Sequence, residues 1–307
     1  MEVVPASNSS ASVSRPAGAA TPGDPATIAE LRRVAVHLAE TAAAHVRLRR
    51  PEVFGPDRAP ATAVQAKSTP TDPVTVVDTE TEDLVRRLIG AERPGEQVLG
   101  EEGGGSIGGP GEVVWVVDPI DGTVNFLYGL PAYAVSVAAM RDGQPLAGAV
   151  ADVARGIVYH AGLGAGAVSV APGAEPVPLR CTPVTSVAMA LVSTGFAYRT
   201  ERRARQGRLI GELLPRVRDI RRVGSAALDL CMVASGQVDA TFEHGLNTWD
   251  WAAGALIAAE AGARLRLPAA DSGAQPGELV AAVAPGIADE LFELFDRLGV
   301  TEPIPVD

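Results

Sequence analysis

Apolar residues recur with a helical period in two stretches near the start of the chain. The first begins at Asp24 and Pro25 and places apolar residues at positions 28, 31, 34 and 38. The second follows Asp78 and places them at 84, 85, 88 and 89. Because this spacing puts side chains on one helix face, we predict a packing helix from residue 25 and an amphipathic helix that Asp78 caps. The Pro- and Ala-rich residues 50–66 are predicted to form a loop.

Strand patterns fill the middle of the chain. Residues 113–117 are uniformly apolar and predict a buried strand, and residues 132–160 predict an antiparallel meander around an Asp-Gly turn. After about residue 184, strands alternate with helices, which indicates a boundary between subdomains and a mixed α+β or α/β fold. The predicted organisation is a disordered tail at 1–24, an N-terminal α+β subdomain at 25–184 and a C-terminal α/β subdomain at 185–307.

Composition narrows the range of functions. The 307 residues include 26 Lys and Arg against 37 Asp and Glu, and the net charge of −11 argues against nucleic acid as a partner. Two distant cysteines, Cys181 and Cys231, and four scattered histidines give neither a disulfide framework nor the spacing of zinc ligands. We therefore expect any metal to be held by oxygen. The sequence has no signal peptide and no membrane-spanning run, so we expect a cytoplasmic protein with no membrane partner.

The buried strand runs directly into two carboxylates, Asp118 and Asp121. Pro119 holds Asp118 extended, so the chain turns at once and a helix can begin near Thr123. This turn directs both carboxylates and the Ile120 carbonyl toward one point beside the N–H groups of a helix start. Hard oxygen ligands next to an anion-binding helix start suit a divalent cation together with a phosphate. For an isolated Asp-x-x-Asp, an Asp-Pro turn with a capped helix would be the usual explanation.

Other polar residues stand at the ends of predicted strands and the starts of predicted helices. Glu101 and Glu102 follow a strand end, and Asp250 lies in the first turn of a helix from about residue 248. Gly224 and Ser225 open another helix with little side chain in the way, so a ligand could approach the main chain there. The Gly-rich run that follows the acidic pair, up to residue 111, is predicted to be a flexible connector. Structural explanations also exist for Asp250, which the helix dipole favours, and for Ser225, which can cap its helix.

Taken together, these segments resemble the inositol monophosphatase family of Mg²⁺-dependent, lithium-sensitive phosphatases. The string Asp118-Pro-Ile-Asp121-Gly-Thr123-x-Asn125-Phe126 is similar to the first signature of the family, and Trp249-Asp250-x-Ala252-Ala253-Gly254 is similar to the second. The segment from Lys67 through Asp72 to Asp78 and the Gly100-Glu101-Glu102 element are also similar to family segments, in the same order along the chain. The resemblance covers residues 26 to 300 and implies a layered αβαβα sugar-phosphatase fold.

The resemblance also implies roles for individual residues. Two or three Mg²⁺ ions would be held by Glu101, Asp118, Asp121, Asp250 and the carbonyl of Ile120. Glu101, Thr123 and Asp78 would act in catalysis, with Lys67, Asp72 and Asp78 behind the metal ligands and Asp78 near an additional, weaker metal. Substrate would be bound by Glu101, Ile120, Asp121, Gly122, Thr123, Gly224, Ser225, Ala226, Glu243 and Asp250. One departure is Val124, where many relatives have a threonine hydroxyl.

The implied substrate is a small polyol phosphate, with myo-inositol-1-phosphate as the first expectation because Glu243 and the Gly-Ser-Ala-Ala segment resemble the inositol type. Fructose 1,6-bisphosphate and histidinol phosphate are the alternatives within the family, and adenosine 3′,5′-bisphosphate is the least favoured. A reading from another class is a non-catalytic binding protein that keeps the fold. The family also implies a homodimer.

Overall fold

A computed structural model describes residues 23–55, 64–67 and 73–306. The predicted tail at 1–24 and Asp72 therefore lie outside the described residues, apart from residues 23 and 24. In the described parts of the chain, the helices are too short or too polar to cross a lipid bilayer.

The larger sheet has seven strands within the described residues. They are β3 (Gln97–Gly100), β4 (Val113–Asp121), β5 (Ala134–Arg141), β6 (Gln144–Asp152), β7 (Ile157–Gly162), β8 (Ala167–Val170) and β9 (Val177–Pro178). Neighbouring strands follow the chain order; β3 and β4 are parallel, and every later pair is antiparallel. Strand β4 is apolar on both faces because both faces are covered, with Trp115 and Val117 in one core and Val114 and Val116 in another.

Two helices, α1 (Pro25–Phe54) and α2 (Val76–Glu92), cover the first face of this sheet. Asp24 starts α1 by accepting hydrogen bonds from the backbone N–H groups of Ala26 and Thr27 at 3.0 and 3.1 Å. The predicted helices are confirmed, with one correction at the start of α2. Its N-cap is Thr75, and Asp78 is the third helical residue.

The predicted loop at residues 50–66 is wrong at both ends. Helix α1 continues through Pro51 to Phe54, because the buried Phe54 ring packs edge-on against Phe126 at 5.2 Å between centroids. Pro51 lies in this last turn and has no N–H to donate to the carbonyl of residue 47. At the other end, β1 (Val64–Ala66) pairs antiparallel with β2 (Pro73–Thr75). Residues 56–63 lie outside the described residues.

The second sheet has five described strands, in the order β11-β10-β12-β14-β13. They are β10 (Leu191–Thr194), β11 (Asp219–Arg221), β12 (Ala240–His244), β13 (Arg264–Arg266) and β14 (Leu279–Val283). Strand β10 is parallel to both β11 and β12, whereas β14 is antiparallel to β12 and β13. The predicted alternation of strands and helices after residue 184 is confirmed, and so is the predicted meander of β5, β6 and β7. Strands β8 and β9 were not predicted.

Helices separate and cover the two sheets. A short helix α3 (Thr123–Tyr128) follows β4, α5 (Ala226–Ala234) and α6 (Thr248–Glu260) lie between the sheets, and α4 (Thr200–Leu213) and α7 (Ala288–Leu298) cover the outer face of the second sheet. The buried side chains form three cores: one under the outer helices of each sheet, and a central one in which α5 and α6 pack against both sheets. This is the predicted αβαβα layering, and it brings the C-terminal end of β4 against the starts of α5 and α6.

Candidate metal and phosphate site

A cavity of about 370 Å³ opens where the end of β4 meets the N-termini of α5 and α6 and the end of β12. It is lined by side chains and backbone from both sheets, so the tertiary fold creates it. The predicted site residues in its wall are Glu101, Asp118, Ile120, Asp121, Gly122, Thr123, Gly224, Ala226, Glu243 and Asp250. Two other predicted residues, Asp78 and Ser225, lie behind this wall.

Asp118 ends the apolar run of β4 and is only 1% exposed. Its Oδ1 accepts a hydrogen bond from the backbone N–H of Ile120 at 3.0 Å, which closes the turn around Pro119. Burial raises the pKa of Asp118 well above its usual range, and the nearby carboxylates of Glu101, Asp121 and Asp250 raise it further. Asp118 thus belongs to a group of acidic side chains that repel one another.

Asp121 is fixed by the start of α5. Its Oδ2 accepts hydrogen bonds from the Ser225 hydroxyl at 2.5 Å and from the backbone N–H of Ala227 at 2.7 Å. Burial raises its pKa to about 6, although these hydrogen bonds favour the charged form. The next residue, Gly122, has a φ of 91°, and a Cβ there would lie 3.0 Å from the carbonyl oxygens of Ala132 and Gly224. Glycine is therefore needed for the chain to turn here.

Glu101 lies in the turn that follows β3. Its Oε1 accepts a hydrogen bond from the Lys67 ammonium at 2.8 Å, and the same ammonium reaches Glu102 Oε1 at 2.5 Å. Lys67 lies between the residues of β1 and β2, so this hairpin brings a positive charge to the acidic end of the cavity. Lys67 thus contacts Glu101, and its role behind the metal ligands stays a prediction.

Asp250 is the third residue of α6. Its Oδ2 accepts a hydrogen bond from the backbone N–H of Asn247 at 2.7 Å, which caps the helix. Burial raises the pKa of Asp250 well above its usual range, followed by repulsion from Glu101 and Asp121. The carboxylate thus faces the other acidic side chains across the cavity from β4.

Asp78 reaches the site through Thr123. Asp78 is fully buried, and its Oδ2 accepts hydrogen bonds from the backbone N–H of Thr75 at 3.0 Å and from the Thr75 hydroxyl. Its Oδ1 lies 3.2 Å from the Thr123 hydroxyl, which also lies 3.0 Å from the carbonyl oxygen of Ile120. A hydroxyl has one proton, so Thr123 can donate to only one of these acceptors at a time. Burial raises the pKa of Asp78 to about 7.

The sequence matches the Inositol monophosphatase family over residues 28–296. The chain belongs to the inositol monophosphatase family. It is 57% identical over 282 residues to the inositol-1-monophosphatase of Mycobacterium leprae (strain TN), covering 90% of this chain and 96% of the relative. It is 37% identical over 223 residues to the Nus factor SuhB of Pasteurella multocida (strain Pm70), covering 72% and 81%. The solved structure of Mycobacterium tuberculosis SuhB has a TM-score of 0.76 at 51% identity, covering 89% of this chain and 98% of that one.

The oxygen atoms around the cavity determine whether this chain can hold a divalent cation. Among the described residues, no group of three or more His, Cys, Asp or Glu side chains is already arranged to hold a metal ion. Glu101 is instead turned toward Lys67. Yet four carboxylates surround one cavity with the Ile120 carbonyl, and repulsion within the group raises the pKa of Asp118 and of Asp250 after burial does. This set of oxygen donors suits a hard divalent cation, which would relieve the repulsion between the carboxylates.

The far side of the cavity contains residues that the sequence reading missed. Arg222 lines the wall beside Glu243. Burial raises the pKa of Glu243 to about 7, and the positive charge of Arg222 partly opposes this rise. Gly195 leaves room for Glu243, because a Cβ there would overlap its carboxylate. The signal for Arg222 was its place between the end of β11 and Gly224, whereas Gly195 lies far from Glu243 in the sequence and gave no local signal.

Proposed function

We propose that this protein hydrolyses the phosphate monoester of a small polyol, with myo-inositol-1-phosphate as its substrate and Mg²⁺ as its cofactor. The observation that carries the proposal is the placement of Glu101, Asp118, Asp121 and Asp250 around one cavity, with Glu243 in the same wall. The name of the M. leprae relative, an inositol-1-monophosphatase, supports the same reaction.

In this proposal the metal is held by Glu101, Asp118, Asp121, Asp250 and the Ile120 carbonyl, as two or three Mg²⁺ ions. When bound, such ions activate water and neutralise charge on the phosphate and the leaving oxygen. The four carboxylates supply the negative charge that this needs. Lys67 is a competing cation at Glu101, 2.8 Å from its Oε1, and would be displaced or reoriented on binding.

The chain's own groups would orient the reactants. Glu101 and the Thr123 hydroxyl would orient the attacking water. Asp78 Oδ1 would accept a hydrogen bond from the Thr123 hydroxyl, so that the lone pairs of this hydroxyl face the cavity. The backbone N–H groups of Gly122 and Thr123 would donate to phosphate oxygens. Asp78 would thus contribute to catalysis without touching the substrate.

Polyol hydroxyls would be bound by Glu243, Asp121, Asp250 and the backbone at Gly224 and Ala226. The Ser225 hydroxyl donates to Asp121 and accepts from the N–H of Leu228 at 3.3 Å. Its proposed role in substrate binding is therefore to fix Asp121 Oδ1 toward the substrate. A carboxylate that accepts hydrogen bonds from neighbouring hydroxyls suits a polyol better than an apolar ligand.

The same proposal includes a cytoplasmic location, a homodimer and inhibition by lithium. It also divides each chain into two subdomains, one for each sheet, between residues 184 and 185. Fructose 1,6-bisphosphate and histidinol phosphate stay the alternative substrates. A non-catalytic role is the alternative from another class, and a relative named Nus factor SuhB makes it worth testing. All four carboxylates proposed to bind the metal are present, which favours catalysis.

The test is phosphate release by the purified protein from four substrates: myo-inositol-1-phosphate, fructose 1,6-bisphosphate, histidinol phosphate and adenosine 3′,5′-bisphosphate. Each is assayed with Mg²⁺, with EDTA and with added Li⁺. The proposal expects the highest kcat/KM for myo-inositol-1-phosphate, with loss of turnover in EDTA and inhibition by Li⁺. Preference for another substrate would replace the substrate assignment, and no turnover of any would favour the non-catalytic alternative.

A further inference from the structure

The turn that carries Glu101 is held by an ion pair on helix α2 between the buried Glu82 and the half-buried Arg86. Glu82 is 2% exposed, and its two carboxylate oxygens accept hydrogen bonds from consecutive backbone N–H groups of the turn. Oε2 accepts from Glu102 at 2.7 Å, and Oε1 accepts from Gly103 at 2.8 Å. One side chain thereby fixes both peptide groups that follow Glu101.

Arg86, one helical turn further along α2, completes the contact. Its Nε donates to Glu82 Oε1 at 2.7 Å, and its Nη2 donates to the carbonyl oxygen of Gly104 at 2.6 Å. A buried carboxylate needs such partners, because leaving it unpaired is strongly unfavourable. The pair therefore connects α2 to both backbone N–H groups and a carbonyl oxygen of the turn.

The glycines of the turn reflect how closely it approaches Glu82. A Cβ on Gly103 would lie 2.6 Å from Glu82 Oε1, and a Cβ on Gly100 would overlap the same carboxylate. At residues 100 and 103, the backbone thus passes too close to Glu82 for any side chain. The Gly-rich sequence after Glu102 is predicted to be a flexible connector, but its first glycine, Gly103, takes part in this close packing.

Helix α2 also carries Asp78, one turn before Glu82, and Asp78 Oδ1 meets the Thr123 hydroxyl at 3.2 Å. The same rigid element therefore contacts two separate parts of the cavity wall, the Thr123 hydroxyl and the Glu101 turn. In contrast, the side chain of Glu101 contacts Lys67, which belongs to the β1 and β2 hairpin. Helix α2 therefore holds the backbone beside Glu101, whether the Glu101 side chain faces Lys67 or a metal ion.

We propose that Glu82 is a positioning residue that holds Glu101 in place as a metal ligand. The ligand role of Glu101 rests on the proposed function, but the hydrogen bonds between Glu82 and the turn do not depend on it. Partners behind the ligands of metal sites usually change metal affinity by about 10- to 100-fold when they are replaced. The same size of effect is expected here.

The test compares Glu82→Gln with the control Glu80→Gln in the full-length protein. Glu80 lies on the same helix but pairs with Arg49, away from the Glu101 turn. A glutamine at 82 can accept from one backbone N–H but presents its own NH₂ group to the other. We expect the Glu102 and Gly103 amides to exchange hydrogen about tenfold faster in Glu82→Gln, and not in Glu80→Gln.

The second readout is the affinity for Mn²⁺ alone, by calorimetry. Glu82→Gln should bind Mn²⁺ about tenfold more weakly, and its phosphate release should recover at high Mg²⁺ with KM for the substrate unchanged. Unchanged amide exchange together with unchanged Mn²⁺ affinity would overturn the proposal. If Glu82→Gln does not fold, Arg86→Lys replaces it, because it loses the fork that joins Glu82 to Gly104, and the same outcomes apply.

These readouts separate the two proposals. If the wild-type protein neither binds Mn²⁺ nor releases phosphate, the proposed function fails, and amide exchange still decides whether Glu82 holds the turn. If the wild-type protein does both and Glu82→Gln matches it in exchange and affinity, only the positioning role of Glu82 is rejected.

Discussion

Helices α2 and α6 begin in the same way and serve the cavity differently. Each has an aspartate as its third residue, and each aspartate accepts a hydrogen bond from the backbone N–H of the cap residue. The distance is 3.0 Å from Thr75 to Asp78 and 2.7 Å from Asn247 to Asp250. By local geometry alone, both carboxylates are helix caps.

The difference lies in what faces the other carboxylate oxygen. Asp78 is fully buried, and its free oxygen meets the Thr123 hydroxyl. Asp250 lines the cavity, where Glu101 and Asp121 help to raise its pKa after burial does. The same capping pattern therefore places one aspartate behind the wall and one in it. The role of a capping aspartate depends on the element opposite the helix start.

The largest expected effect is that of Asp250→Asn, which removes a proposed ligand and keeps the cap, because an amide oxygen still accepts from Asn247. Phosphate release should fall by more than about 100-fold, beyond the usual effect of residues behind a metal ligand. Stability should fall by no more than about 1 kcal/mol in urea unfolding. Full activity in a folded variant would contradict a ligand role for Asp250.

A smaller effect is expected from Asp78→Asn. The amide can donate to the Thr123 hydroxyl, which reverses that hydrogen bond, and kcat should fall by about 10- to 100-fold. Thr123→Val should lose a similar amount. Because the two residues would act as one unit, the double variant should be hardly worse than either single variant. Losses in kcat that multiply in the double variant would show that Asp78 and Thr123 act independently.

Much of the fold could be predicted from the sequence, since the periodic apolar positions of α1 and α2 and the strands around Asp118 follow local rules. The candidate site depended on the resemblance. Asp78 and Asp250 share one local pattern, and only the tertiary contacts to Thr123 and to the cavity distinguish them. Gly195 and Glu82 were not identified because their partners are distant in the sequence. The helical continuation through Pro51 depended on the Phe54 contact with Phe126, which no local pattern predicts.

A separate prediction concerns pH and stability. Burial raises the pKa of Asp78 to about 7 in the folded protein from the ordinary 3.8, so the native state binds this proton more tightly than the unfolded state. The contribution of Asp78 to stability therefore falls as pH rises from about 4 to about 7, by on the order of 2 to 4 kcal/mol. In EDTA, Asp78→Asn should lose less stability over this range than the wild type. Equal urea midpoint shifts in both proteins would contradict the account.

The most direct measurement is a calorimetric Mn²⁺ titration of the wild type, Asp250→Asn and Asp78→Asn side by side. If the cavity is a carboxylate metal site with Asp250 in its wall and Asp78 behind it, Asp250→Asn should weaken the tightest site by more than about tenfold. Asp78→Asn should bind there within about threefold of the wild type, since it keeps every proposed ligand. Equal affinity in the wild type and Asp250→Asn, or no Mn²⁺ binding by the wild type, would contradict the central claim.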